Sequence, residues 1–529
     1  MINLHKISYI HPNKDVLFTN INFNVDPSDK IALVGDNGSG KSTLLRLIAQ
    51  KITPTAGQVV ANSLVYHIPQ LYGQYDHFTV VQTLGIANKI HALHQILGGA
   101  LTEEYFEALD NDWQIENRCI ETFQKWALPE ECMHRKMDQL SGGEKAKVLL
   151  SGIHLHNADV ILMDEPSNHL DGETRQLLYQ FVETTKQALV IASHDRKLLN
   201  FMNKTYELNR GQLKLYGGNY DFFRLQKEND LVAQSAQIQS KEKDLRKARQ
   251  QERKTAERME RSDVRGKQKQ TNSGLSRIMM NTLRNNAENS TSKVKDIHRH
   301  KISGITDELT TLRSAQSLSS RIKLDIENSA LHHGKILYHA EGLNIKIGGK
   351  ELWKKNIDLH IESGERISLE GANGSGKTTL INLLLGKAIP SKGKLTTAPV
   401  TPVYFDQNYS LLEENKSIYE MAQSFNDGGL EEHEVKTRLS RFLFPNDTWN
   451  NTCSTLSGGQ RMKLILCGLT VRENAPDVLF MDEPTNNVDI QSMEILTNSL
   501  IDYKGTLIVV SHDKTFLEQL NISRKIQLN

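Results

Sequence analysis

Four carboxylates and two histidines recur at matched intervals in this chain of 529 residues. Asp164 and Glu165 end the run "VILMDE", and Asp482 and Glu483 end "VLFMDE". His194 lies 30 residues beyond Asp164, and His512 lies 30 beyond Asp482, each within "SHD". An Asp at the end of an apolar strand beside a phosphate loop is where a metal ion is held. The Glu that follows is placed to orient and deprotonate a water. An imidazole at a neighbouring strand end suits a terminal phosphate. Together these groups suit hydrolysis of a phosphoanhydride, with Glu165, His194, Glu483 and His512 as the catalytic candidates. The plain alternative is that the carboxylates merely open helices ahead of Pro166 and Pro484.

The phosphate side is written twice as well. "GDNGSGKST" spans 35–43 and "GANGSGKTT" spans 371–379, each between a strand pattern ("KIALVG", "RISLEG") and a helical run. Strand, G-x-x-x-x-G-K-[ST] and helix in that order is the phosphate-binding loop in its required context. Gly35, Asn37, Gly38, Ser39, Gly40 and Thr43 in one copy match Gly371, Asn373, Gly374, Ser375, Gly376 and Thr379 in the other. The glycines let backbone N–H groups turn toward phosphates at a helix start. Lys41 and Lys377 reach the β- and γ-phosphates. Ser42 and Thr378 offer a hydroxyl that, with Asp164 and Asp482, holds Mg²⁺.

Such loops need sheets to carry them, and the chain repeats enough sequence for two. "LSGGE" at 140–144 returns as "LSGGQ" at 456–460. The reading is α/β, with one domain over 1–220 and its copy over 336–529. At 38% hydrophobic and 24% charged, the composition is that of a globular protein without bilayer-spanning segments. The start "MINLHKISYIHPNKDVLF" has no secretory-signal pattern. Cys119, Cys132, Cys453 and Cys467 have no metal-ligand spacing and read as reduced thiols of a cytoplasmic protein.

The connecting segment, 221–335, is different. From Asp221 to Arg265 it has neither Gly nor Pro, and Leu231, Ile238 and Leu245 recur every seven residues. Ile302, Ile305, Leu309 and Leu312 carry the spacing of a packing partner. The segment therefore reads as an antiparallel α-helical hairpin with its tip at about 266–292. Between Lys241 and Lys301 there are 18 Lys/Arg against 8 Asp/Glu, a net +10 in a chain whose total is +1. That concentration fits a nucleic-acid contact; a solvated basic hairpin is the alternative.

With the "LSGG" signatures the chain resembles the ATP-binding cassette superfamily over about 1–220 and 340–529. The resemblance implies two P-loop NTPase cassettes that sandwich two ATP molecules head to tail. ATP on Lys41 would face Ser457, Gly458 and Gly459, and ATP on Lys377 would face Ser141, Gly142 and Gly143. It also implies metal and water contacts from Gln70 and Gln407, and adenine stacking by Tyr9. The second copy offers only Ile345 or Ile347 at the stacking position. Gln70 to Ser141 is 71 residues and Gln407 to Ser457 is 50, so the first copy carries about 21 more, as an arm or a longer helix pair.

Tandem cassettes joined by a basic hairpin resemble the ABC-F family. This implies an ATPase that is a monomer with intramolecular cassette pairing, acting on the ribosome. It would bind at the tRNA exit site, contact large-subunit ribosomal RNA and peptidyl-tRNA, and place the linker tip near the peptidyl-transferase centre. Arg265, Lys267, Lys269, Arg277, Arg284 and Lys293 would neutralise RNA phosphates. Met279, Met280 and Leu283 either pack against bases there or only cap the hairpin. The long tip, and a chain ending just after the second cassette, favour ribosomal protection against antibiotics. A housekeeping translation factor is the alternative, followed by the ATPase subunit of a transporter; a DNA-repair cassette protein would carry inserted zinc motifs or very long coiled coils.

Overall fold

The apolar runs "VILMD" and "ALVIA" carry no polar alternation, the pattern of strands covered on both faces. All five residues of Val160–Asp164 and of Ala188–Ala192 are buried. They lie inside a six-stranded sheet ordered Val65–Ile68, Val160–Asp164, Ala188–Ala192, Lys30–Val34, Lys204–Asn209, Gln212–Gly217. Every pairing is parallel except the last. The second cassette repeats the arrangement as a five-stranded parallel sheet: Pro402–Phe405, Val478–Asp482, Thr506–Val510, Arg366–Glu370, Arg524–Gln527. Register sets Asp164 beside Ala192 and Asp482 beside Val510, so each carboxylate ends level with the strand that leads into "SHD". The expected α/β fold of two cassettes is what the chain forms.

This computed structural model describes residues 2–168, 170–271, 277–315, 331–332, 334–372, 374–485 and 488–528, without the side chains of 263, 266–271, 277–291, 294, 314–315 and 490. Asn373 and the side chains of Lys267, Lys269, Arg277, Met279, Met280, Leu283 and Arg284 therefore lie outside the described residues.

Each cassette adds a three-stranded antiparallel sheet, Val16–Val25, Ile2–Ile10, Ala56–Ala61 in the first and Ile357–Glu362, Ile336–Asn344, Lys392–Thr397 in the second. These strands bury one face only. Ile2, Leu4 and Ile7 join Phe18, Phe23 and the helix Lys41–Ile48 in one core. In the second cassette Arg366 acts as a bolt: its guanidinium donates to the carbonyls of Leu500, Ile501, Tyr503 and Leu520.

The helical layers differ. Helices Val80–Thr83, Ile115–Lys125 and Gly142–His156 have counterparts in Ile418–Gln423, Glu432–Arg441 and Gly458–Val471. The first cassette's extra residues fold as two further helices, Ala87–Leu97 and Glu103–Leu109. They are an added pair, not a lengthening of the shared ones. Ile90, Leu93, Ile96 and Leu109 tie them to the layer's own core. The four cysteines are free and buried within the helical layers.

Residues 222–320 form a separate unit. Its two helices, Tyr220–Thr271 and Arg277–Ala315, are 52 and 39 residues long. Only 272–276 separate them in sequence, yet far from that junction Lys241 bonds Glu308 and Arg313 Nη2 meets Glu242 Oε1 at 2.6 Å. Helices joined at one end and bridged near the other form a hairpin. Ile238 and Leu309 are buried in its seam, whereas Leu231 and Leu245 are less covered.

Candidate active site

Gly38 and Gly40 hold φ of 80° and 104°, and Gly374 and Gly376 hold 80° and 88°, left-handed values that side chains disfavour. The loops so formed leave Lys41 Nζ donating to the carbonyls of Gly35 (2.8 Å) and Asp36 (3.1 Å). Lys377 Nζ does the same with Gly371 (2.8 Å) and Ala372 (3.0 Å). Burial lowers the pKa of both lysines, opposed by the Asp–Glu pair of their own cassette. Gly35 and Gly371 admit no side chain, since a Cβ would stand 2.3 Å from Leu208 O or 2.5 Å from Ser375 Oγ. The hydroxyls of Ser39 and Ser375 are buried without a hydrogen-bond partner. Unfilled donors and carbonyl-parked lysines fit a cradle for phosphate oxygens.

Ser42 and Thr43 lie in the first turn of Lys41–Ile48, and Thr378 and Thr379 in that of Lys377–Leu384. Thr378 Oγ1 donates to Asp482 Oδ2 at 2.7 Å, and Ser42 hydrogen-bonds Asp164. Burial raises Asp164 despite that bond and Lys41. No cluster of three or more His, Cys, Asp or Glu suited to a metal exists among the described residues. A hydroxyl–carboxylate pair nonetheless fits the few protein ligands that Mg²⁺ takes beside a polyphosphate.

The neighbouring glutamates are strained. Glu165 and Glu483 each have φ of 50°, in the left-handed region. Their amides reach across to the next strand, Glu165 N–H to Ala192 O and Glu483 N–H to Val510 O, both at 2.8 Å. The side chain thereby turns back toward the histidine: Glu165 Oε1 lies 3.4 Å from His194 Nε2, and Glu483 Oε1 lies 3.4 Å from His512 Nε2. That is ion-pair spacing, yet burial opposes charge on both partners. It pushes Glu165 up to about 8, helped by Asp164, and Glu483 up to about 7. It holds His194 down at about 3 and His512 at about 4. Burial thus disfavours the charged form of both partners, a raised carboxyl facing a lowered imidazole in each cassette.

Sequence reading missed several groups. Tyr404 donates to Asp482 Oδ2 at 3.2 Å. Asp171 and Asp489 cap the helices Gly172–Thr184 and Ile490–Asp502, accepting from Thr174 N–H and Ser492 N–H. Each Asp also acts on the other cassette: Asp171 on Lys377 and His512, Asp489 on Lys41 and His194. Between the cassettes lies a cleft of about 990 Å³ lined by Glu165, Asp171, Arg175, His194, Lys377 and His512, among others. An apolar residue and Asp at the same distance after each Pro, "PSNHLD" and "PTNNVD", was the available signal for the two aspartates.

The other candidates are placed less decisively. Ser141 and Ser457 cap the helices starting at Gly142 and Gly458, with N–H groups of Gly143 and Gly459 in the first turn. Neither serine lines the cleft. Gly459 packs against its own cassette's cap, where a Cβ would stand 3.1 Å from Asp489 Oδ2. Gln70 and Gln407 follow the strands Val65–Ile68 and Pro402–Phe405. Tyr9 is half-buried, 6.3 Å from Phe18 ring to ring. Ile345 is half-buried and Ile347 exposed. Arg265 and Lys293 are exposed.

The family model described as ABC transporter matches residues 18–168 and 354–486. ATP-binding protein Uup of Haemophilus influenzae (strain ATCC 51907 / DSM 11121 / KW20 / Rd) is 30% identical over 95% of this chain and 75% of its own length. The chain belongs to the ABC-F family. This ABC-F chain is thus an ATP-binding ATPase. Ribosome protection protein VmlR of Bacillus subtilis (strain 168) is 27% identical over 100% of the ABC-F chain and 87% of its own. An archaeal ribosome recycling factor, solved with the ribosomal stalk protein aP1, shares the fold: TM-score 0.55 at 18% identity, over 97% of this chain and 86% of that one. No described helix is long and apolar enough to cross a membrane.

Proposed function

We propose that this ATPase acts on the ribosome, closing its cassettes on ATP at the tRNA exit site and placing the linker tip near the peptidyl-transferase centre. The observation that carries the reading is the hairpin itself, two helices of 52 and 39 residues bearing a net +10 between Lys241 and Lys301. A concentrated positive charge on an extended hairpin suits the phosphates of large-subunit RNA and peptidyl-tRNA. Arg265, Lys267, Lys269, Arg277, Arg284 and Lys293 make those contacts. The relative named as a ribosome protection protein supports protection against antibiotics as the outcome. A housekeeping translation factor of the same family is the second reading.

Hydrolysis runs at two sites. Glu165 and Glu483 activate water, and His194 and His512 hold them and meet the terminal phosphate. Ser42 with Asp164 and Thr378 with Asp482 would hold Mg²⁺, with Gln70 and Gln407 nearby, and the ion when bound would supply charge neutralisation of the phosphates. The signature residues Ser141, Gly142, Gly143, Ser457, Gly458 and Gly459 close on the ATP of the opposite cassette, and Tyr9 stacks on adenine. The protein works in the cytoplasm as a monomer whose own two cassettes pair.

Sedimentation of the Glu165→Gln, Glu483→Gln double variant with ATP tests the reading. Pelleting with ribosomes is expected; pelleting only with membrane vesicles or DNA overturns it. Tolerance to drugs of the peptidyl-transferase centre, on expression in a sensitive strain, separates protection from the housekeeping role.

A further inference from the structure

The two helices that follow the capping aspartates match in length and in the position of the cap. Each has 13 residues, and each cap accepts from the third amide of its helix. Four positions after Asp171 stands Arg175, and four after Asp489 stands Met493. Both side chains line the cleft between the cassettes. The pseudo-symmetric positions therefore differ by a full charge.

Arg175 is unusual in its burial. Only 9% of it is exposed, and its Nε has no hydrogen-bond partner. A buried guanidinium left with an unfilled donor is costly, and such groups are kept where a ligand or a second conformation supplies the missing acceptor. The groups around it belong largely to the second cassette's site. Arg175 acts on Glu483, His512 and Asp513, and on Glu483 its influence exceeds that of the site's own Lys377. Glu165, by contrast, is opposed chiefly by Lys41 of its own cassette. Each glutamate is held alike within its own cassette, by the backbone amide and the ring of the histidine that follows, His194 for Glu165 and His512 for Glu483. What differs is the second glutamate's charge surroundings: Arg175, a cation of the other cassette, lines the same cleft as Lys377 and His512 of its site.

We propose that Arg175 is a positioning residue supplied in trans to the second nucleotide site, orienting Glu483 when polyphosphate draws the cassettes together, and that Met493 leaves the first site without a counterpart. The two ATP sites are then chemically unequal. Turnover at the second depends on a side chain of the first cassette, so hydrolysis there reports that both cassettes are engaged. The first site closes without this check.

The inference rests on Glu165 and Glu483 as the water-activating groups, which the backgrounds test by themselves. E165Q leaves the second site as the active one and E483Q leaves the first; wild-type turnover in the E165Q/E483Q double variant would refute the glutamates before Arg175 is touched. Arg175→Met, which installs the residue that the second cassette carries at this position, is then added to each. In E165Q it is expected to lower kcat ~10-fold with KM for ATP within about threefold. That loss should exceed the loss in E483Q by several-fold, and Arg175→Lys should recover part of it. Equal losses in both backgrounds, a change in KM alone, or no recovery with Lys would overturn the proposal. Should R175M fail to fold, Arg175→Gln keeps length and polarity without charge and is held to the same outcomes.

Discussion

His194 Nε2 lies 3.4 Å from Glu165 Oε1 without forming a charged pair, because burial holds the imidazole at about 3 and the carboxyl at about 8. Glu165 Oε1 is buried without a hydrogen-bond partner, so the pair has an acceptor to spare for a ligand's proton. The same spacing at His512 and Glu483 makes this a property of both cassettes.

Replacing Glu165 and Glu483 together with Gln keeps shape and removes the base. ATP binding is expected to persist while hydrolysis falls by ~10²-fold or more. Nucleotide affinity and phosphate release measured on the same protein check this, and undiminished release would end the assignment.

The raised glutamates also make stability depend on pH. A carboxyl with a folded pKa above its unfolded value favours the native state fully below about pH 4.5. That contribution is lost as pH rises through about 7 for Glu483 and about 8 for Glu165. The double Gln variant never ionises there. Without nucleotide, its melting temperature relative to wild type should therefore increase from pH 5 to pH 9; a difference that shrinks over that range would contradict the burial argument.

Binding through phosphate contacts predicts steep salt dependence. With five or more contacts, log K for the ATP-locked protein on ribosomes should fall with log salt at roughly −0.7 to −0.9 per contact. Replacing Arg265, Lys267 and Lys269 with Ala should flatten the slope by about two to three. A wild-type slope near zero would leave the basic charge as a solvated face.

Met279, Met280 and Leu283 allow binding and function to be separated. Their triple Ala variant should keep basal ATPase, ribosome pelleting and melting temperature, because the change adds no strain to either cassette core. Drug tolerance or tRNA positioning should be lost. A lowered melting temperature with no other specific defect would mean that these residues only cap the hairpin.

Much of the fold was legible in the sequence. Phosphate loops, strand-end carboxylates and the helical linker are local patterns, encoded by residues a few positions apart, and they repeat. Glu165 could be located beside Asp164, but its φ of 50° goes with a hydrogen bond that its amide donates to the Ala192 carbonyl on the adjoining strand. The added residues of the first cassette could be counted, but their folding as a helical pair depends on burying Ile90, Leu93 and Leu109. Arg175 carried no motif at all. Its meaning comes from lining the cleft beside Lys377 and His512 of the other cassette, more than 200 residues away along the chain. The sequence alone determined two nucleotide-binding copies and a basic connector, because their chemistry is local. Only tertiary structure decided that one copy lends a buried cation to the other, because that relation exists only where the cassettes face each other.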